Sequence, residues 1–561
     1  MSLSARQIQR GGLSFCLRPS ILNKLLSTKI SLARLNRGSI LSLDVKLDLF
    51  SNPAKVDRLT DIARGIEKES LRVQADGHLA NTPHPRALGS ALTHPNITTD
   101  FSEALLEFIT APSASIDTVM SQLEEIHRVT YQHIGDELLW VNSMPCQLGS
   151  DASIPIGQYG SSNVGKMKNI YRRGLGNRYG RLMQTIAGIH YNFSVPDSLW
   201  QDLQTSANNQ QSLQDFKSDG YFGLIRNFRR YSWLLLYLLG AAPAICRSFV
   251  GNSDHRLMAV GDDTHSLYQP YATSLRMGDL GYQSDAQSSL VVCYNDVPQY
   301  TDTLKEALSQ AYPAYDEIGL KDKNGDYQQL STNLLQIENE FYSTIRPKRT
   351  AASGETPVHA LIERGVEYVE VRCVDLNPLL PCGIDEQTIR FLDTFLLFCL
   401  LQDSPATDAE EYASIPKNID RTVYAGRDPA LTLLRDKKEV SLRAWGQTLL
   451  EEMLPVAALL DSANQTESYT RALAVMLARI HDDSSTPAAT LLAEMRSNNE
   501  TYYAMAMRKA CEHRDYFHAN PPDSETMDKY QGLATQSLQK QSVIEAQDSL
   551  PFDEFLANYY R

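Results

Sequence analysis

The sequence predicts an α+β fold, with a sheet-bearing body between about residues 53 and 400 and a helical quarter after about 430. Three observations point there. Short runs rich in β-branched and aromatic residues alternate with turn clusters through the first part. Helical stretches with apolar residues recurring at three and four separate those runs. Beyond 430 that helical period holds almost throughout. Ala104–Thr110 (ALLEFIT), Gly188–Val195 (GIHYNFSV), Leu334–Tyr342 (LLQIENEFY) and Val366–Val374 (VEYVEVRCV) are the expected strands. Ile116–Ile134, Gly220–Leu239 and Glu386–Leu401 are expected helices, as are Ala444–Leu460, Tyr469–His481, Thr490–Glu512 and Met527–Ile544. No repeat of 20–50 residues interrupts this order. The expected organisation is a basic extension over 1–45, an α+β catalytic body over 46–430 and a mainly helical region over 431–561.

Composition narrows the classes. The chain has 561 residues, with 53 Lys and Arg against 67 Asp and Glu, for a net charge of −14. An acidic balance argues against a protein that grips nucleic acid through clustered cations. Any anionic substrate must instead be received by a local group of cations. The longest apolar run, Trp233–Cys246, is 14 residues and contains Pro243. A membrane span needs roughly 20, so this run reads as a buried core helix. Eight scattered cysteines with no C-x-x-C pair fit a reducing compartment better than a disulfide scaffold. Residues 1–43 carry seven Lys and Arg and no acid. That composition suits an organellar transit peptide; a disordered basic tail, or a start placed upstream, suits it better. The expected location is cytoplasmic.

Two motifs are decoys. Gly160–Met167 (GSSNVGKM) approaches a P-loop, but Met167 stands where a hydroxyl must hold Mg²⁺, and no confident strand precedes it. Gly174–Gly180 (GLGNRYG) has one residue too many for G-x-G-x-x-G. Both read as chance loops.

The chemistry lies in strands that carry polar groups at i and i+2. Alternation sends such a pair to one sheet face. Glu67 and Glu69 form one pair, His190 and Asn192 another, Glu338 and Glu340 a third, and Glu370 and Arg372 a fourth. Asp100 and Glu107 add carboxylates. A lone Glu-x-Glu is usually the wet face of a sheet, and a lone histidine is usually a satisfied core residue. Several such strands sharing a face would repel one another without cations. Oxygen donors in this number suit Mg²⁺ or Mn²⁺, with His190 a tolerated nitrogen, and such metals suit a nucleoside triphosphate. Arg346, Lys348 and Arg349 follow the Glu338/Glu340 run and could meet polyphosphate; taken alone they read as a basic turn stiffened by Pro347. Tyr171, Arg172, Arg276 and Tyr282 could orient amino-acid substrates, since arginine forks grip carboxylates. For Arg173 and Tyr179, surface pairing is the preferred reading.

Assembled in order, RGIEKESLRV, HPRALGSALTHPNITTDFSEALLEFIT, SMPC, NRYGRLMQTIAGIHYNFS, PYATSLRMGDLGY, LQIENEFYSTIRPKR and GVEYVEVRCVDLNP run from about 64 to 385. This series resembles glutamate–cysteine ligase of the gammaproteobacterial type. The resemblance implies a glutamine-synthetase-like, curved and largely antiparallel catalytic sheet with flanking helices. It implies that ATP phosphorylates the γ-carboxylate of glutamate and that the cysteine amine then displaces phosphate, giving γ-glutamylcysteine for glutathione biosynthesis. On matching positions it implies Glu67, Glu69, Asp100, Glu107, His190 and Glu370 as metal ligands, with Asn192 beside them. Arg372 would meet the transferring phosphate or glutamate. Tyr171, Arg172, Arg276, Tyr282 and Tyr342 would frame cysteine. Glu338, Glu340, Arg346 and Lys348 are the nucleotide-side candidates. It further implies Mg²⁺ (or Mn²⁺), ATP and two amino acids as small-molecule partners, with no nucleic acid and no membrane, and feedback inhibition by glutathione. A metal-dependent hydrolase would more characteristically carry a tight cluster such as H-x-H, which the sequence lacks. A metal-binding scaffold would not need arginine and tyrosine among its carboxylate strands. A ligase for a different amine is the nearest rival.

Overall fold

The longest strand, β1 (Ala63–Val73), runs through a seven-stranded sheet in a computed structural model of the chain. The structure describes residues 42–251, 254–261, 263–281, 285–287, 290–352 and 354–560. The basic residues of 1–41 and the candidate Tyr282 lie outside the described residues. In chain order the other strands of this sheet are β2 (Ile97–Thr99), β3 (Leu105–Ile109), β4 (Leu138–Leu139), β5 (Ile189–Ser194), β9 (Ile345–Lys348) and β10 (Tyr368–Val374). Their spatial order is β2-β3-β1-β5-β10-β9, with β4 on the end of β1 and every pairing antiparallel. Three shorter strands, β6 (Ala244–Cys246), β7 (Met258–Val260) and β8 (Asp263–Tyr268), form a separate sheet.

Alternation divides the main sheet into two unlike faces. On one, Ile66, Leu106, Phe108, Tyr191, Phe193, Val369 and Val371 are fully buried. Helices Ile116–Tyr131, Leu213–Leu239 and Glu386–Leu401 supply the rest of that core. Each large aliphatic or aromatic side chain buried there contributes about 1.5–3 kcal/mol. One ion pair is sealed into it: Arg64 Nε lies 3.1 Å from Asp393 Oδ2, and Tyr191 donates to Asp393 Oδ1 at 2.6 Å. Lys68, between Glu67 and Glu69, points to this side and reaches His127 Nε2 at 2.9 Å. The other face carries the acids.

The expected strand over Leu334–Tyr342 is not one. Glu338–Glu340 is a 3₁₀ turn. Glu340 bends the chain there by accepting from Gln336 N at 2.6 Å and pairing with Arg178 Nη1 at 2.8 Å. The IRPKR segment, in contrast, is an edge strand rather than a turn, because it pairs with β10 from Ile345 to Lys348. Gly174–Gly180 is helix, not loop: it belongs to Asn163–Tyr179, and Gln336 packs against Gly174 so closely that a Cβ would meet its Oε1 at 2.1 Å. The expected helix over Trp233–Cys246 stops at Leu239, and Pro243 leads into β6 instead. Thr490–Glu512 is two helices, broken by a left-handed Asn499 (φ 53°). After 430 the chain first forms a hairpin, β11 (Thr432–Arg435) and β12 (Lys438–Ser441), before the helices begin. Cys146 and Cys246, 100 residues apart, are joined in a disulfide; among the described residues five other cysteines are free. The expectation drawn from scattered spacing missed this pair because only the packed fold brings SMPC beside β6.

Candidate active site

Register brings the polar pairs together. Glu69 sits opposite Glu107 on β3, and Glu67 sits opposite His190 on β5. Asn192 faces Glu370 on β10, which in turn faces Arg346 on β9. Directly opposed residues share a face, so five strands deliver one polar, acid-rich floor. It opens into a cavity of about 390 Å³ lined by Glu67, Asp100, Glu107, His190, Glu370 and Arg372, among others. His190 Nδ1 lies 3.1 Å from Glu67 Oε2, and its Nε2 lies 3.5 Å from Glu69 Oε1. Asn192 donates to Glu67 Oε1 at 2.9 Å. Glu69 also accepts from Gly188 N at 2.6 Å, which ties it to the start of β5.

Electrostatics sort these acids. Burial raises the Glu107 carboxyl well above the ordinary carboxylate range, and the charges of Glu67, Asp100 and Glu69 add to that. Burial also raises Glu69, against the pull of His190. Glu370 behaves oppositely. Burial would raise it, yet Lys348, Arg372 and His190 together hold it well below the ordinary range. Its Oε1 lies 3.2 Å from Arg372 Nη1 and 3.4 Å from Lys348 Nζ. The floor is therefore acid-rich at β1 and β3 and cation-flanked at β9 and β10.

The donor set fits a divalent cation. Glu67, Glu107 and His190 each offer a ligand atom, and these atoms lie within 4.8 Å of one another. His190 Nε2 and Glu370 Oε2 are buried without a hydrogen-bond partner. Buried polar atoms left unpaired are costly, and a cation among hard oxygens and one imidazole satisfies them.

The walls come from helices and loops. Ser162 caps the helix Asn163–Tyr179 by accepting from Gly165 N at 3.1 Å. From that helix Val164, Met167, Lys168, Tyr171, Arg172 and Leu175 line the cavity at three- and four-residue spacing. Arg172 stacks 4.5 Å from the Tyr159 ring and donates to Lys168 O at 3.0 Å and to Asp100 O. Tyr342 accepts from Gln184 Nε2 at 2.9 Å and meets Tyr179 edge to face. Phe555 and Tyr559, from the last helix, Phe552–Tyr559, close the rim.

Other expected residues stand apart. Arg276 is fully buried behind the site, donating to Arg372 O at 2.9 Å. Glu338 does not line the cavity; it is buried and accepts from Val358 N at 3.4 Å. Glu340 does border the cavity, but Arg178, Tyr179 and Gln336 occupy both its oxygens. Tyr179 is thus held by a buried carboxylate rather than by surface pairing, and Arg173 donates to Tyr327 O at 2.9 Å. Sequence reasoning passed over Lys168, although its i, i+3, i+4 spacing with Tyr171 and Arg172 was available. Burial and the Arg172 charge push Lys168 down to about 8. Phe555 and Tyr559 left no local signal.

An acidic floor flanked by cations suits the uptake of a polyanion through divalent cations, which is compatible with the class of ATP-dependent ligases. Comparison with known proteins sharpens the class. The sequence profile described as glutamate–cysteine ligase matches residues 47–422. A glutamate–cysteine ligase of Alcanivorax borkumensis is 51% identical over 522 residues, covering 92% of this chain and 99% of that protein. One from Pseudomonas entomophila is 49% identical over 525 residues, covering 93% and 98%. Among solved structures, a Francisella tularensis glutamate–cysteine ligase in complex with AMP superposes with a TM-score of 0.84 at 36% identity, covering 89% of this chain and 97% of that one. A bifunctional glutathione synthetase from Pasteurella multocida superposes at 0.67 and 26% identity, covering 84% of this chain and 55% of that longer one. By these matches the chain belongs to the glutamate–cysteine ligase family. Among the described residues no helix is long and apolar enough to cross a membrane.

Proposed function

We propose that the protein joins L-glutamate, through its γ-carboxylate, to the amine of L-cysteine at the expense of ATP, forming γ-glutamylcysteine by way of γ-glutamyl phosphate. The observation that carries this reading is the convergence, in one cavity, of a cation-ready acid cluster with Arg372, Arg346 and Lys348. A carboxylate is a poor electrophile. Attack of its oxygen on the terminal phosphorus releases ADP and leaves an acyl phosphate; attack of the cysteine nitrogen on the acyl carbon then expels phosphate.

In this reading Glu67, Glu69, Asp100, Glu107, His190 and Glu370 hold divalent cations, Mg²⁺ or Mn²⁺, with Asn192 orienting Glu67. Bound there, the metal supplies charge neutralisation and alignment of the phosphates. Arg372, fixed by Glu370 beneath and by Arg276 at its carbonyl, meets the transferring phosphoryl group or the glutamate. Because it is held before substrate arrives, little reorganisation accompanies transfer. Arg346 and Lys348 take the nucleotide side, since the carboxylates of Glu338 and Glu340 are engaged within the wall. Tyr171, Arg172 and Tyr342 frame cysteine. Arg276 acts through Arg372 rather than from the cavity wall. The catalytic body spans 46–430, and the helical region of 431–561 contributes the rim through Phe555 and Tyr559. Glutathione, which contains the γ-glutamylcysteine unit, would occupy the same pockets and inhibit. A cytoplasmic location agrees with these substrates.

The test is ADP release by purified protein with Mg²⁺–ATP, L-glutamate and L-cysteine, each omitted in turn, with mass detection of the product. ADP that requires both amino acids, with γ-glutamylcysteine appearing, is expected. ADP without dependence on cysteine would make the amine wrong.

A further inference from the structure

A second, smaller cavity of about 180 Å³ opens beyond the C-terminal end of β10, on residues outside the acidic site. Its walls are mostly aliphatic, from Leu239, Val374 and Ile384 among others. Two charged groups face into it without meeting. Arg479 donates to Leu238 O at 2.9 Å through Nη1, while its Nε is buried with no hydrogen-bond partner. Across the cavity, Asp385 caps the helix Glu386–Leu401, its Oδ1 accepting from Thr388 N at 2.8 Å and Thr388 Oγ1 at 2.6 Å. Asp385 is half-buried, and both of these bonds fall on Oδ1. Burial lowers the Arg479 guanidinium, and the charge acting against that is Asp385. The other acid on the wall, Asp375, is already engaged, with Ala241 N at 2.8 Å on Oδ2 and Ser274 Oγ at 2.9 Å on Oδ1.

The unpaired Nε of Arg479 faces a half-buried carboxylate across an aliphatic space, and a buried N–H without an acceptor costs free energy. A ligand carrying a carboxylate and an ammonium group on one carbon bridges them. The volume sets its size: pockets for drug-sized molecules run roughly 300–1,000 Å³, so this one excludes a nucleotide and admits a single amino acid.

We propose that this cavity is a second binding site, for a small zwitterionic amino acid with an aliphatic side chain. Its carboxylate sits on Arg479, its ammonium on Asp385, and its side chain against Leu239, Val374 and Ile384. Occupancy bears on the catalytic floor by a short route: Asp375 borders the cavity, lies 3.8 Å from Arg276 Nη1, and Arg276 holds the Arg372 carbonyl.

The experiment is equilibrium dialysis of labelled L-valine against the full-length protein, against Asp385→Asn and against Arg479→Met. Asparagine caps a helix as well as aspartate, so Asp385→Asn removes the charge and keeps the fold; an unchanged melting temperature verifies this. Saturable binding of one valine per chain is expected, weakened by about tenfold or more in both variants. Isovalerate and isobutylamine, each lacking one of the two charges, should fail to compete. No saturable binding up to about 10 mM, the weak end of specific affinities, overturns the proposal. So does binding that survives Asp385→Asn unchanged, because it would lie elsewhere, in the amino-acid pockets of the acidic site.

Discussion

Glu340→Gln separates a wall-building carboxylate from a nucleotide-binding one. Glu340 and Arg178 have fully buried side chains 2.8 Å apart, and Tyr179 donates to the same oxygen at 2.8 Å. Removing one partner of a buried pair costs about 3–5 kcal/mol because the other charge is stranded. Two features reduce that here. Glutamine keeps an acceptor oxygen, and Arg178 retains Gln329 Oε1 at 2.9 Å, Ser331 O at 2.6 Å and the Tyr315 ring at 4.0 Å. A net loss of about 2–3 kcal/mol follows, within the range for a half-rescued buried charge. An unfolding entropy of about 2.1 cal/mol/K per residue, over roughly 520 cooperatively folded residues, is about 1.1 kcal/mol/K, so the melting temperature should fall by about 2–3 °C. Tyr179, held by the same carboxylate, meets Tyr342 edge to face, so KM for cysteine should rise while KM for ATP holds. The readouts are differential scanning fluorimetry and steady-state kinetics on each substrate. An unchanged melting temperature with a large rise in KM for ATP would refute the reasoning and return Glu340 to the nucleotide.

Alanine at Glu67 or Glu370 should abolish turnover with circular dichroism unchanged; wild-type activity in either variant would remove that residue from the metal set. Gly188→Ala places a Cβ 1.9 Å from Arg276 Nη2, so Arg276 must move and release the Arg372 carbonyl. A fall in kcat/KM of about tenfold or more, equivalent to ~1.4 kcal/mol, is expected, and unchanged kinetics would show that Arg276 does not position Arg372. Burial holds His84 and His513 down at about 4, whereas an unfolded histidine takes its proton near pH 6.5. Between roughly pH 6.5 and 4 the unfolded chain binds more protons, so stability should drop as pH falls through that window. His513→Gln should flatten a plot of melting temperature against pH there; an unaltered slope would count against His513.

The acidic floor was legible because alternation is strict. Glu67/Glu69, His190/Asn192 and Glu370/Arg372 each needed only to lie in a strand to share a face, and register then joined them. Leu334–Tyr342 shows the limit. Its alternating pattern is that of a strand, but Arg178, some 160 residues away, captures Glu340 and turns the chain. Lys168 was masked by glycines that made its helix look like loop, although those glycines exist to let Gln336 and Tyr159 pack closely. Long-range contacts explain the remainder. Phe555 and Tyr559 reach the cavity from the far end of the chain, and Cys146 meets Cys246 only after the core is assembled.

Transfer of oxygen is the most direct test of acyl-phosphate chemistry at this floor. L-Glutamate labelled with ¹⁸O in its γ-carboxylate, turned over with Mg²⁺–ATP and L-cysteine, should yield inorganic phosphate carrying one ¹⁸O atom per product formed. Phosphate free of label, with γ-glutamylcysteine still appearing, would mean that the γ-carboxylate never attacks phosphorus, and would contradict the account.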